Sequence, residues 1–179
     1  MKRVALVALF LACGAVAASA QDRPVKMKFS GSMVPTSIAM QESTITDEEL
    51  LAGDGALGAF TFRKLRTDTL GPVPSTDCAG LNIGVVAGGG VFRFADGSLL
   101  TVAIVPTGSL CINLQAAVAR LTETYQVTGG TGRFNNVTGG TLNLTATLRP
   151  ALFSSFGQAV LLTSTGVIEG SIAGVGHDE

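Results

Sequence analysis

The sequence contains no tryptophan, one tyrosine and one histidine among 179 residues. A serine–histidine or cysteine–histidine nucleophile would have to be built on His177, close to the C-terminus, so histidine-based catalysis is excluded almost by counting. No Gly-Lys-Ser/Thr follows a glycine cluster, which removes the phosphate loop, and there is no Gly-x-Ser-x-Gly elbow. Gly53-Asp-Gly-Ala-Leu-Gly58 has the dinucleotide-binding spacing, but a β-rich run with Phe60 and Phe62 follows it where a helix is required. It reads as a glycine turn, and no cofactor is expected. Asp47, Glu48, Glu49 and Asp54 match no calcium-loop spacing and read as a solvated acidic turn. With so little histidine and cysteine, no metal site is expected either. The compact basic group Arg63-Lys-Leu-Arg66 reads as a solvated strand end.

Charge is also scarce, at 14% of residues. Residues 1–20 have the form of a cleaved signal peptide: Lys2 and Arg3, an apolar stretch from Val4 to Ala17, and Ala18-Ser-Ala20 before Gln21. An alternative places a lipidated cysteine at Cys13, in Leu11-Ala-Cys13. Loss of the leader takes the 12 basic residues to 10 against 13 acidic ones, a balance of −3. That balance opposes a nucleic-acid footprint, which needs a clustered basic face. The remainder, 21–179, has the length of one domain and no second apolar run long enough to span a bilayer. The expected location is therefore secreted or periplasmic. Cys78 and Cys111 are the cysteines left after cleavage, and in an oxidising compartment they are expected to pair, adding roughly 3–4 kcal/mol on the chain-entropy model. Two free buried thiols are the alternative.

What the chain does have is strand pattern broken by turns. Candidate strands are 25–29, 38–45, 56–65, 83–95, 98–105, 117–128, 141–148 and 159–172. Asp96-Gly97 is the strongest hairpin signal, with Phe92 expected opposite Thr101 and Phe94 opposite Leu99. Two segments compete: Thr46-Asp-Glu-Glu-Leu-Leu could open a short helix with Thr46 as N-cap and Glu49 completing a capping box, and Leu114–Leu121 is alanine-rich enough for another. Eight strands with short turns and no long helix fit a closed antiparallel barrel.

The most informative stretch runs from Tyr125 to Thr145. A strand enters Gly129, Gly130 and Gly132, an aromatic plug follows at Phe134, and a second pair begins at Gly139. The chain then leaves with Leu142, Leu144, Ala146 and Leu148 alternating against polar residues, a half-buried strand. Thr128-Gly-Gly-Thr-Gly-Arg-Phe134 followed by Val137-Thr-Gly139 resembles the strand–turn signature of the allene oxide cyclase-like and dirigent-like barrels, most of all their secreted bacterial members. The resemblance implies an eight-stranded, calycin-like antiparallel barrel with a mostly apolar interior, often a homotrimer. Gly129, Gly130, Gly132, Phe134 and Gly139 are structural in that motif, so it carries no catalytic residue over.

Glu123 is the polar residue with the strongest claim to function. Alternation places it on one face with Leu121, Tyr125 and Val127. If that face points inward, a carboxylate and a phenol line the barrel, and burial displaces the carboxylate's pKa. Otherwise Glu123 sits at the rim in water, or pairs with Arg120 or Arg149. The reading that follows is an exported, non-enzymatic barrel that binds a small apolar ligand or serves as a structural module. The alternative is a cyclase- or dirigent-like enzyme that positions a reactive lipid or phenol in its cavity, with Glu123 and Tyr125 as candidate catalytic residues.

Overall fold

Strands in which every second side chain is apolar bury that face together by curling until the sheet meets itself. The computed structural model describes residues 22–36, 38, 40, 42–74 and 80–175. Nine strands form one antiparallel sheet: β1 (Arg23–Pro35), β2 (Thr44–Gly55), β3 (Phe60–Thr69), β4 (Val73–Pro74), β5 (Leu81–Phe94), β6 (Leu99–Asn113), β7 (Val118–Gly130), β8 (Gly139–Phe153) and β9 (Ala159–Ala173). Their order is β3-β2-β1-β9-β8-β7-β6-β5-β4, and pairing of β3 with β5 closes eight of them into a barrel. The two-residue β4 hangs on the edge of β5 as an extra strand. The all-β, eight-stranded barrel expected from the sequence is the observed fold. The leader 1–20 with Cys13, and also Cys78 and His177, lie outside the described residues. Cys111 stands on β6, opposite Asn82 and Arg120.

Three expectations need correction. Thr46–Leu51 is not a helix but the body of β2, because Asp47, Glu49 and Leu51 share one buried face at strand spacing. This strand replaces the one expected at 38–45. Nor is Leu114–Leu121 a helix: Leu114–Ala117 is a turn, and Val118–Leu121 is the start of β7. In the β5–β6 hairpin Phe92 faces Leu100 and Val91 faces Thr101, one residue away from the expected pairing. Gly97, at φ 84°, takes the left-handed position of a longer turn, which moves the register and sends Phe92, Phe94 and Leu100 inward together.

One end of the barrel is sealed by the glycine-rich stretch. Gly129 and Gly130 end β7, Gly132–Phe134 makes a 3-10 turn, and Gly139 opens β8. Phe134 is fully buried, with its ring centroid 4.9 Å from that of Phe94. Gly132 is required for two reasons. Its φ is 62°, and a Cβ there would lie 2.4 Å from Ser98 Oγ. Arg133 lies over both rings, 4.7 Å from Phe94 and 4.8 Å from Phe134, and donates to the carbonyl of buried Leu57. The motif is a stopper.

Candidate functional site

Above the stopper the interior holds two layers. The lower one is aromatic: Phe62 stacks on Phe92 at 3.8 Å, Phe60 meets Phe92 edge-on at 5.5 Å, and Phe62 meets Tyr125 edge-on at 5.7 Å. The upper one is ionic. The inward period of β3 that begins with Phe60 and Phe62 continues through Lys64, Arg66 and Asp68. From β2 come Asp47 and Glu49, and from β7 Glu123 and Tyr125. All are buried. The expected solvated basic strand end and solvated acidic turn are thus, in Lys64, Arg66, Asp47 and Glu49, the two halves of one interior cluster. The residues that do face water, Arg63 and Glu48, pair with each other at 2.6 Å.

The glycines of β5 make the cluster possible. Gly90 pairs with Lys64 and Gly88 with Arg66, so both face inward where the long cationic side chains need room. A Cβ on Gly90 would lie 2.5 Å from the Phe62 ring and 2.7 Å from Lys64 Cβ.

Arg66 is the hub. Its Nε donates to both oxygens of Asp68 (2.9 and 3.0 Å), Nη1 to Glu49 Oε1 (2.8 Å) and Nη2 to Asp47 Oδ2 (2.8 Å). Lys64 Nζ donates to Glu123 Oε2 and to the Tyr125 hydroxyl at 3.1 Å, and lies 3.2 Å from Glu49 Oε1. The Tyr125 hydroxyl in turn donates to Glu123 Oε2. Glu123 therefore points inward and pairs with Lys64, not with Arg120 or Arg149.

Burial alone would push the Glu123 carboxyl up. The charges of Lys64 and Arg66, with hydrogen bonds from Lys64 and Tyr125, outweigh it and hold the carboxyl below its usual range. Burial raises Tyr125 well above an ordinary phenol, and the Glu123 and Glu49 charges add to the effect. Burial also pushes Asp47 up to about 7, against the pull of Arg66 and with the help of neighbouring Asp68. The result is an ionised carboxylate holding a neutral phenol, with four acids facing two cations. Glu49 Oε2 and Glu123 Oε1 have no hydrogen-bond partner among the described residues, though Arg66 lies 3.6 Å from the latter. A buried network of this kind carries a large desolvation cost and is strongly disrupted when one partner is removed.

The cluster is walled off. On β7, Leu121 separates Glu123 from Ala119, and neither Leu121 nor Leu148 reaches solvent. Beyond them, at the end opposite the stopper, an apolar cavity of about 330 Å³ lies between the β6–β7 and β8–β9 turns, lined by Leu110, Ile112, Leu114, Ala119, Phe153 and Leu162 among others. Its walls come from the ends of four strands, β6 to β9, and the two turns that join them in pairs, so no single segment of sequence marks it. No family model, curated protein or solved structure matches the chain. Among the described residues no group of histidine, cysteine and acidic side chains is placed to hold a metal ion, and no helix is long and apolar enough to cross a membrane.

Proposed function

We propose that the protein is an exported barrel that binds a small apolar molecule in the cavity at the end opposite the stopper. The observation that carries this reading is the cavity itself. It is apolar on nearly every side, and at about 330 Å³ it falls at the lower end of the usual range for ligand pockets. A barrel of eight strands has room for side chains or for one small ligand, and here the two share the length of the interior. Polar anchoring groups are few, which favours a hydrocarbon or aromatic body over a sugar or nucleotide. The enzymatic alternative rests on the same family resemblance but draws less from the geometry, because Leu121 and Leu148 stand between the cavity and the Glu123–Tyr125 pair.

The test is binding of an uncharged, environment-sensitive naphthylamine dye to the purified chain beginning at Gln21. Dye fluorescence should rise on binding and fall when hydrophobic competitors are added. Ala119→Phe fills the cavity from its wall and should weaken dye binding by at least about tenfold, the effect of removing well-packed apolar contact. Unchanged affinity in a folded Ala119→Phe protein would remove the cavity as the site.

A further inference from the structure

Exposed apolar residues are not spread evenly over this barrel. Among the described residues, ten of the twelve large apolar side chains that stand exposed belong to the end opposite the stopper, Leu50 and Val91 being the exceptions. They are densest on the β8–β9 hairpin, where Leu152 and Phe153 are 56% exposed and Phe156 90%, and Leu114, 72% exposed, stands on the neighbouring β6–β7 turn. Scattered surface hydrophobics need no explanation, but a concentration at one pole does.

Charge is arranged to match. No charged residue occurs from Leu99 to Ala119 or from Pro150 to Ile168, so both hairpin tips are uncharged. Behind them on the outer wall stand Arg120 on β7 and Arg149 on β8, both exposed and neither in an ion pair among the described residues. Arg120 is three residues from its turn and Arg149 four residues before Phe153. At about 3.3 Å per residue these positions lie roughly 10–13 Å behind the tips, within reach of a headgroup layer if the tips enter the acyl boundary. Among the described residues of β6 to β9 no acidic side chain is exposed at this end: Glu123 is buried inside, and Glu169 pairs with Lys26 toward the stopper, while the exposed Glu42 stands on the connection between β1 and β2.

We infer that this pole docks on the surface of an anionic lipid bilayer. Phe156 and Leu152 enter the interface, and Arg120 and Arg149 face phosphate headgroups. Apolar tips backed by cations are the two signals that reversible interfacial binding combines.

The experiment is co-sedimentation of the chain beginning at Gln21 with vesicles of phosphatidylcholine containing about a quarter phosphatidylglycerol, against phosphatidylcholine alone. We expect binding to the anionic vesicles, weakened at least about tenfold by Leu152→Ser/Phe156→Ser, both solvent-exposed changes that leave the fold intact. Arg120→Gln/Arg149→Gln should abolish the preference for anionic lipid. Leu152 and Phe156 do not line the cavity, so the first variant should still bind the naphthylamine dye. Dye binding without vesicle binding would sink this inference and leave the proposed function standing; vesicle binding without dye binding would do the reverse. Vesicle binding indifferent to Leu152 and Phe156 would overturn it. So would a concentration-dependent dimer that the same pair of substitutions dissolves, which would assign the pole to a second copy.

Discussion

Lys64 offers the sharpest test of the ionic layer, because it touches three partners and none of them reaches water. Its Nζ lies 3.2 Å from Glu49 Oε1 and closer still to Glu123 Oε2, with no side-chain exposure on any of the three. At an effective dielectric of about 20, a unit pair at that separation attracts by about 5 kcal/mol before desolvation is counted. Lys64→Met keeps most of the apolar stem and removes the charge, leaving Glu123 ionised in the interior with Arg66 as its nearest cation. Breaking one side of a buried pair costs about 3–5 kcal/mol, a large part of the roughly 5–15 kcal/mol that holds a domain of this kind together. Glu123→Gln keeps an acceptor for Lys64 and Tyr125 while removing charge, and should cost less. The double variant leaves no orphaned charge between them, so it should be more stable than the sum of the singles predicts, by about 2–3 kcal/mol. Urea unfolding followed by far-UV circular dichroism measures the cycle. Tyr125, the single tyrosine in a chain without tryptophan, gives a second signal from inside the cluster. A double variant that folds where Lys64→Met does not is the same result in stronger form. A Lys64→Met protein within about 0.5 kcal/mol of the parent, or additivity within that margin, would refute the buried cluster.

Two further outcomes follow from the same layer. Asp47 has a folded pKa of about 7, above its unfolded value, so between about pH 4 and pH 7 the folded chain keeps a proton that the unfolded chain has released. Its contribution is full below that window and is lost as pH rises through it, at most about 4 kcal/mol. Melting temperature should therefore fall from pH 5 to pH 8, and fall less in Asp47→Asn; Glu123, whose pKa is lowered, acts only at more acidic pH and does not disturb the comparison. An equal slope in the two proteins would contradict the assignment. For packing, Gly90→Ala should cost about 1–3 kcal/mol by overpacking Phe62 and Lys64. Gly84→Ala, whose Cβ would find its nearest neighbour at 3.6 Å, should stay within about 0.5 kcal/mol in the same denaturation assay.

The sequence is most readable where the barrel obeys the usual code of apolar in and polar out. Leu142, Leu144, Ala146 and Leu148 announce β8, and Leu121, Tyr125 and Val127 put Glu123 on an apolar face, which alone does not decide between the interior and the rim. The code inverts at β2 and β3. Asp47, Glu49, Lys64 and Arg66 read as solvated charge, and the run from Thr46 even suggests a helix, because an acid or a lysine is seldom fully buried. Each becomes tolerable inside only through partners on another strand, and no single segment shows those partners. A usable signal did exist: stepping by two from Phe60 and Phe62 arrives at Lys64 and Arg66, and stepping back by two from Leu51 arrives at Glu49 and Asp47. The cavity left no comparable trace, since its walls are shared among the ends of four strands, β6 to β9, and no one of them shows it alone.

The closure has a consequence for how the chain reaches this state. β1 is held between β2 and β9, with Arg23 opposite Ile172, so the first strand acquires its second neighbour only from the last one. Every earlier intermediate carries at least two unzipped strand margins, β1 on one side and whichever strand came last on the other. Such distant pairing makes folding slow and leaves those margins able to join other molecules in the meantime. A shortened chain that stops before Ala159 would keep its stopper and its ionic layer on paper, yet would stay a sheet with two live edges.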